Sequence, residues 1–220
     1  QNKHSHSPSA SLLQPVLVPP RPWHSISMDF VTDLPPPEGF TTILVVVDSF
    51  SKMAHFIPLP KLPTSIDLAQ IFIQQIIRSH GLPDVIVSDR GPQFVSKFWQ
   101  GVCSMLKIDH RLPSAYHLQT DGQTERVNQT MKQYLRCLLS STTSNWVHAL
   151  PMAEFTYNSN VHSATKVSPF FCNLRYHPRF LSIATPGKDE RVPMVYVFGQ
   201  ILQKTWVDVT QQLIHSKSRM

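Results

Sequence analysis

The stretch Val85-Ile86-Val87-Ser88-Asp89-Arg90-Gly91-Pro92 combines a short apolar run, an acidic residue and a turn signal. An apolar run of this length that ends at glycine and proline predicts a buried strand, with Asp89 at the point where the strand gives way to a turn. Open α/β sheets place their functional sites at the carboxyl ends of strands. This stretch therefore predicts an α/β sheet that carries an acid at its functional edge.

Two further acids occupy comparable positions. Asp29 lies in Ser25-Ile26-Ser27-Met28-Asp29-Phe30-Val31, where apolar and polar residues partly alternate, as in a strand with one buried face. Glu125 follows the turn signal Asp121-Gly122 at the start of a long helical pattern, and 35 residues separate it from Asp89. Taken singly, each of the three acids is more simply read as an ordinary surface residue. Their shared context favours a common site.

Three converging carboxylates have a clear chemical use. Mg²⁺ prefers oxygen ligands, so three acids can hold a pair of ions. Two ions about 3.5–4 Å apart can activate an attacking oxygen and stabilise the leaving oxygen in an in-line displacement at phosphorus. We therefore predict that Asp29, Asp89 and Glu125 are catalytic and metal-binding residues, and that two Mg²⁺ or Mn²⁺ ions are the cofactors.

Four separated segments, at residues 28–35, 45–52, 88–94 and 119–129, resemble the integrase catalytic core of Gypsy-type long-terminal-repeat retrotransposons, within the retroviral integrase superfamily. The resemblance runs from about residue 20 to about residue 180 and keeps the family's order and spacing. It implies a ribonuclease H-like α/β fold, with a mixed five-stranded sheet flanked by helices. It also implies a polynucleotidyl transferase that trims element DNA 3′ ends and joins them to target DNA.

The composition of the chain favours a polyanionic partner. Twenty Lys and Arg against 14 Asp and Glu give the 220 residues a net charge of +6, with a pI near 9.4. We expect element-end DNA and target DNA as partners, together with other copies of the chain.

The longest strongly apolar run, residues 43–47, is too short to cross a bilayer, so we expect no membrane partner and a nuclear, intracellular location. Cys103, Cys137 and Cys172 are widely separated and odd in number, with no close pair and no histidine at metal spacing, so they indicate neither a disulfide framework nor a zinc cluster.

The chain divides into four predicted regions. Residues 1–20 form a Ser- and Pro-rich leader, which the resemblance places after a zinc-binding module that is missing here. Residues 21–180 form the integrase core, and residues 181–192 form a linker. The apolar pattern of residues 193–220 predicts a long C-terminal helix suited to self-association.

Within the core, we expect strands at 25–31, 41–48 and 52–58 to form an antiparallel meander. Thr64-Ser65-Ile66-Asp67 has the form of a capping box. In the helix that follows, apolar residues recur at helical spacing and predict the face that covers the sheet: Ile66, Ala69, Ile73, Ile76 and Ile77. A buried strand at about 84–88, one helix through Phe94, Phe98, Val102 and Met105, and a short strand near 107–112 complete the predicted sheet. Asp48 ends an apolar strand, and we interpret it as a structural turn residue.

The helix that begins near Glu125 has one polar face, formed with Gln129, Lys132 and Arg136. We predict that these last three residues contact DNA, in a salt-sensitive and weakly sequence-selective manner. The alternative is an amphipathic surface helix with solvated charges. Tyr116 and His117 lie in a polar segment, residues 113–122, and we predict that they touch a DNA end. An aromatic pair packed against the helix is the alternative there.

A second function remains open. The family commonly has proline after the histidine at position 117, whereas this chain has Leu118. A host-adopted, non-catalytic DNA- or chromatin-binding protein that retains the integrase fold could tolerate this departure. The intact set of three acids favours the enzyme.

Overall fold

A mixed five-stranded sheet forms the centre of the protein, with the strand order β3-β2-β1-β4-β5. The computed structural model describes residues 18–112, 126–133, 135 and 145–179. Strands β1, β2 and β3 form an antiparallel meander, whereas β4 and β5 run parallel to β1. The predicted sheet is therefore confirmed. Its strands are β1 (Ser25–Val31), β2 (Thr42–Asp48), β3 (Ala54–Leu59), β4 (Val85–Ser88) and β5 (Asp109–Arg111).

Strand β2 is buried along its whole length because helices cover both faces of the sheet. Ile43, Val45 and Val47 point into one hydrophobic core, and Leu44 and Val46 point into the other. The first core contains residues of the helices that we call α5 and α6, and the second contains residues of α1, α3 and α4. The sheet thus forms the middle layer of three. The helices are α1 (Ser65–Phe72), α2 (Arg78–His80), α3 (Pro92–Val95), α4 (Lys97–Met105), α5 (described at residues 126–133 and 135), α6 (Trp146–Ser159) and α7 (Pro169–Leu174).

Helix α1 begins at the predicted capping box. The Thr64 hydroxyl accepts the Asp67 main-chain N–H, and the Asp67 carboxylate accepts the Thr64 N–H in return. A π-helical segment, Ile73–Ile77, joins α1 to α2. The predicted inner face was wrong at Ile66 and Ile73, which are 54% and 51% exposed. Ala69 and Ile76, from the same predicted face, are buried as expected, and Leu68 and Phe72 join them in the core.

The helix predicted through Phe94 and Met105 is in fact two helices. Ser96 has an extended backbone, which ends α3, and its hydroxyl caps α4 by accepting the Trp99 N–H at 3.1 Å. The break changes which residues face the sheet. Trp99 is fully buried, whereas Phe98 and Met105 are 45% and 75% exposed, so the prediction was wrong for those two residues.

Helix α5 packs on the sheet through the apolar face that the sequence predicts, since Val127, Met131 and Leu135 are all buried. Helices α6 and α7 begin at side-chain caps from Asn145 and Ser168. Residues 1–17 of the predicted leader, the predicted linker and the predicted C-terminal helix lie outside the described residues. Among the residues that are described, no helix has both the length and the apolar character needed to cross a membrane.

Candidate active site

Asp29 and Asp89 lie side by side at one edge of the sheet. Met28 of β1 pairs with Ser88 of β4 in parallel register, so the two acids are the next residues along neighbouring strands. Neighbouring strands are about 4.8 Å apart. Because side chains alternate along a strand, Asp29 follows Met28 on the opposite face, the one that α5 covers, while Asp89 follows Ser88 just beyond the end of β4. The parallel pairing therefore brings together two acids that are 60 positions apart in sequence.

Two donors among the described residues hold the carboxylate of Asp29. The Phe30 main-chain N–H donates to its Oδ1 at 2.8 Å, and Nδ2 of Asn128, on α5, donates to its Oδ2 at 2.6 Å. Asn128 Oδ1 is buried and has no hydrogen-bond partner among the described residues. A buried acceptor without a donor is costly in a folded protein. The Asp29–Asn128 pair therefore leaves an oxygen beside the acid that a cation could bind.

The carboxylate of Asp89 is exposed and turns back onto the main chain. The Gly91 N–H donates to Asp89 Oδ1 at 3.0 Å. A Cβ atom at position 91 would lie 3.0 Å from the same oxygen and 3.2 Å from Gln93 Oε1. Any side chain at this position would press on the carboxylate, so glycine allows the tight turn that fixes Asp89.

Ser88 and His110 lie behind Asp89, on the other face of the sheet. The Ser88 hydroxyl is 2.8 Å from His110 Nε2 and 3.2 Å from the Asp89 carbonyl oxygen. Burial lowers the pKa of His110, although the nearby Asp109 carboxylate acts in the opposite direction. The imidazole is therefore neutral at neutral pH.

Most of the remaining predicted site residues lie outside the described residues: Glu125, Tyr116, His117 and Arg136. Within the described ranges, no group of three His, Cys, Asp or Glu residues could hold a metal ion. Gln129 and Lys132 are described, and both are exposed on α5. Helix α5 thus presents a polar surface that starts next to Asp29, at Asn128, and continues through Gln129 and Lys132.

Asp48 has the structural role that the sequence predicts. Its carboxylate is fully buried, and it accepts hydrogen bonds from the main-chain N–H groups of Trp23, Phe50 and Ser51 and from the Ser51 hydroxyl. These bonds hold the turn between β2 and β3 against the segment that leads into β1. Every one of its acceptor positions is used within the protein.

Sequence reasoning did not assign a site role to Asn128, Gly91, Ser88 or His110. Asn128 could have been found, because it follows Glu125 by three positions in a helical pattern and would share its face. Ser88 and His110 gave no such signal. They are 22 positions apart, and only the pairing of β4 with β5 brings them together.

Comparisons with known proteins agree with this geometry. The family described as integrase core domain matches residues 19–118. The transposon Tf2-3 polyprotein of Schizosaccharomyces pombe is 37% identical over 187 residues, which are 85% of this chain and 14% of the polyprotein. The chain belongs to the integrase core family. The Tf2-4 polyprotein of the same yeast gives the same values, so this integrase core spans only about a seventh of the length of the curated relatives that it matches.

Solved structures of other integrase catalytic cores resemble this integrase core. The catalytic core domain of HTLV-2 integrase in complex with magnesium has a TM-score of 0.56 and 26% identity, and the match covers 70% of this chain and 97% of that one. The catalytic core domain of BIV integrase has a TM-score of 0.56 at 22% identity, over 70% of this chain and 95% of that one. These neighbours have the ribonuclease H-like fold, which confirms the predicted fold class.

Proposed function

We propose that this chain is the catalytic core of a metal-dependent DNA integrase, which trims the 3′ ends of element DNA and joins them to target DNA by in-line attack at phosphorus. One observation carries the proposal. Asp29 and Asp89 directly follow Met28 and Ser88, a pair in register on adjacent parallel strands, and α5 contacts Asp29 through Asn128.

The oxygen donors at this edge suit a hard divalent cation. Asp29 and Asp89 supply carboxylates, and Asn128 supplies a buried amide oxygen without a hydrogen-bond donor among the described residues. Glu125, the predicted third ligand, precedes Asn128 by three positions, which is the spacing of neighbours on one helix face. When bound, two Mg²⁺ or Mn²⁺ ions would activate the attacking water or DNA 3′-hydroxyl and stabilise the leaving oxygen.

The chain itself fixes the acids before substrate arrives. Asn128 and the Phe30 N–H orient the Asp29 carboxylate, and the Gly91 N–H orients that of Asp89. Groups that are already oriented need little rearrangement during the reaction, which favours the transition state. Because the attacking oxygen comes from water or DNA, no covalent bond between enzyme and DNA is required.

The DNA strand would follow the exposed side of α5. Gln129 and Lys132 are exposed there, and the predicted contacts Tyr116, His117 and Arg136 would extend the same surface. The net charge of +6 supports binding to phosphates. The described cores of HTLV-2 integrase occur in trimeric and dimeric forms, which supports self-association of this chain as well. Nuclear localisation and the division at residues 20, 180 and 192 remain predictions.

The test is a DNA-joining assay on short duplexes with Mg²⁺ or Mn²⁺, run beside calorimetric titration of the metal. Asp89→Asn should abolish joining and weaken metal binding, because it removes a charged oxygen ligand while retaining the shape of the side chain. Glu125→Gln should have the same effect. Asp67→Asn is the matched control, since it makes the same chemical change at the exposed cap of α1.

Two results would contradict the proposal. Joining by Asp89→Asn at the wild-type rate would remove Asp89 from the site. A wild-type chain that binds DNA but neither binds the metal nor joins DNA would favour the non-catalytic DNA- or chromatin-binding protein. Circular dichroism of Asp89→Asn should match the wild type, because this exposed carboxylate takes no part in either core.

A further inference from the structure

The Ser88 hydroxyl connects a half-buried histidine to the main chain of a proposed metal ligand. Ser88 is the last residue of β4 and is 3% exposed. Its Oγ lies 2.8 Å from His110 Nε2 and 3.2 Å from the carbonyl oxygen of Asp89. Both contacts are short enough to be hydrogen bonds, and they share the same hydroxyl.

Hydrogen-bond chemistry permits one arrangement that satisfies all three groups. A serine hydroxyl has a single proton to donate, and a carbonyl oxygen can only accept. If Ser88 donates to the Asp89 carbonyl, His110 must then donate its Nε2–H to Ser88. If Ser88 donates to His110 instead, the Asp89 carbonyl loses this donor. The first arrangement forms a continuous chain from His110 Nε2–H through Ser88 to Asp89, and successive bonds in such chains strengthen each other.

The surroundings hold His110 in place for this role. His110 lies on β5 and pairs with Ile86 of β4 in parallel register, so it shares a face with Ser88 two residues further along. Its ring packs near Phe94 and Trp99, each with a centroid separation of 6.4 Å. The aromatic rings restrict the imidazole, and the neutral ring can carry its single proton on Nε2.

Asp89 is thereby fixed from two directions. The Gly91 N–H holds its carboxylate on the turn side, and Ser88 holds its carbonyl oxygen on the strand side. We propose that Ser88 and His110 are positioning residues that orient Asp89 for metal binding, an inference that rests on the proposed function. Outer partners of metal ligands commonly change metal affinity or activity by about 10- to 100-fold when they are removed.

A structural role alone would satisfy a buried hydroxyl without any effect on the metal. Three variants of the full 220-residue chain separate the two roles: Ser88→Ala, His110→Leu and the double variant. Calorimetric titration with Mg²⁺ or Mn²⁺ should show a dissociation constant raised about 10- to 100-fold in each single variant. The double variant should bind the metal as tightly as the single variant with the lower affinity, because either change breaks the same chain of hydrogen bonds. Ser88→Thr keeps the hydroxyl and should restore most of the affinity.

A second measurement needs neither metal nor activity. Long-range ¹H–¹⁵N NMR of the metal-free chain should show His110 as the Nε2–H tautomer, and Ser88→Ala should shift its ring signals. Thermal unfolding of each variant establishes that the chain is folded at the temperature of the titrations.

The outcomes separate this inference from the proposed function. Unchanged metal affinity in folded Ser88→Ala and His110→Leu, beside a wild type that binds the metal, would overturn the positioning role alone. Additive losses in the double variant, or an Nδ1–H tautomer of His110, would also overturn it. A wild-type chain that binds no divalent cation would overturn the proposed function and this inference with it.

Discussion

Replacement of Asp48 by asparagine should destabilise the fold strongly, although the two side chains have nearly the same shape. The Asp48 carboxylate is fully buried. Its Oδ1 accepts the N–H groups of Trp23 and Phe50 at 3.0 and 3.1 Å, and its Oδ2 accepts the N–H and hydroxyl of Ser51 at 2.9 and 2.6 Å. An asparagine turns one of these oxygens into an NH₂ group. At least one main-chain N–H then faces another donor, and the remaining bonds lose the negative charge of their acceptor.

The size of the effect follows from these four bonds. A hydrogen bond to a charged group contributes about 1.5–3 kcal/mol, and one between neutral groups contributes about 0.5–1.5 kcal/mol. If the amide nitrogen takes the Ser51 side, the bond from the Ser51 N–H is lost, the Ser51 hydroxyl must reverse its bond and accept, and the other two bonds are weakened. Offset by the easier burial of a neutral amide, these changes give a loss of about 3–5 kcal/mol in the free energy of unfolding. With a urea m-value of about 2 kcal/mol per M, the unfolding midpoint should fall by about 1.5–2.5 M.

Urea unfolding followed by tryptophan fluorescence measures this shift. Asp67→Asn is the matched control, because it changes an exposed helix cap whose replacement costs about 1 kcal/mol. If the midpoint of Asp48→Asn fell no further than that of Asp67→Asn, the hydrogen bonds of the buried carboxylate would not be stabilising the turn. The folded Asp48→Asn protein should bind divalent cations with the affinity of the wild type, since Asp48 lies at the other end of the sheet from Asp89.

Two further predictions concern residues that pack against strand β3. Burial and the neighbouring His55 lower the pKa of His80 to about 4. Between about pH 6.5 and 4, the unfolded chain therefore binds more protons than the folded chain. The free energy of unfolding should fall as the pH falls through that range. His80→Phe should flatten this part of the stability curve measured by urea unfolding at successive pH values, and an unchanged curve would assign the dependence to other groups. Asn158, which is 1% exposed, both donates to the Ala54 carbonyl and accepts the Ala54 N–H at 2.9 Å, so Asn158→Ala should cost about 2–6 kcal/mol by leaving two buried main-chain groups unpaired. Faster hydrogen exchange of the Ala54 amide would accompany that loss, and exchange at the wild-type rate would show that another group replaces Asn158.

Local sequence patterns were reliable where one short segment decides the structure. The apolar run that ends at Ser88 forms a strand, and the capping box at Thr64 starts a helix, because both depend on interactions within a few residues. The apolar face of α5 was also correct at Val127 and Met131, since nothing in the described part of that helix interrupts its period.

Patterns failed where the helical period changes within a segment. Ser96 breaks the predicted helix, and Phe98 is exposed although its spacing from Phe94 predicts burial. A different failure occurred at Ile66 and Ile73, where the spacing was helical but both residues lie on the exposed face of the segment. A period can be extrapolated along a sequence only while the geometry that produces it continues.

The amino-acid sequence by itself determined the family, the sheet-and-helix class and the acids proposed for metal binding, because each of these can be recognised within short segments of the chain. Only the tertiary structure decided which residues surround those acids. Asn128 lies 99 positions from Asp29, and His110 lies 22 positions from Ser88, yet each pair is within hydrogen-bond distance. Such contacts depend on which strands pair, in what register, and which helix packs across them, and those choices are made by the burial of the whole core rather than by any short segment.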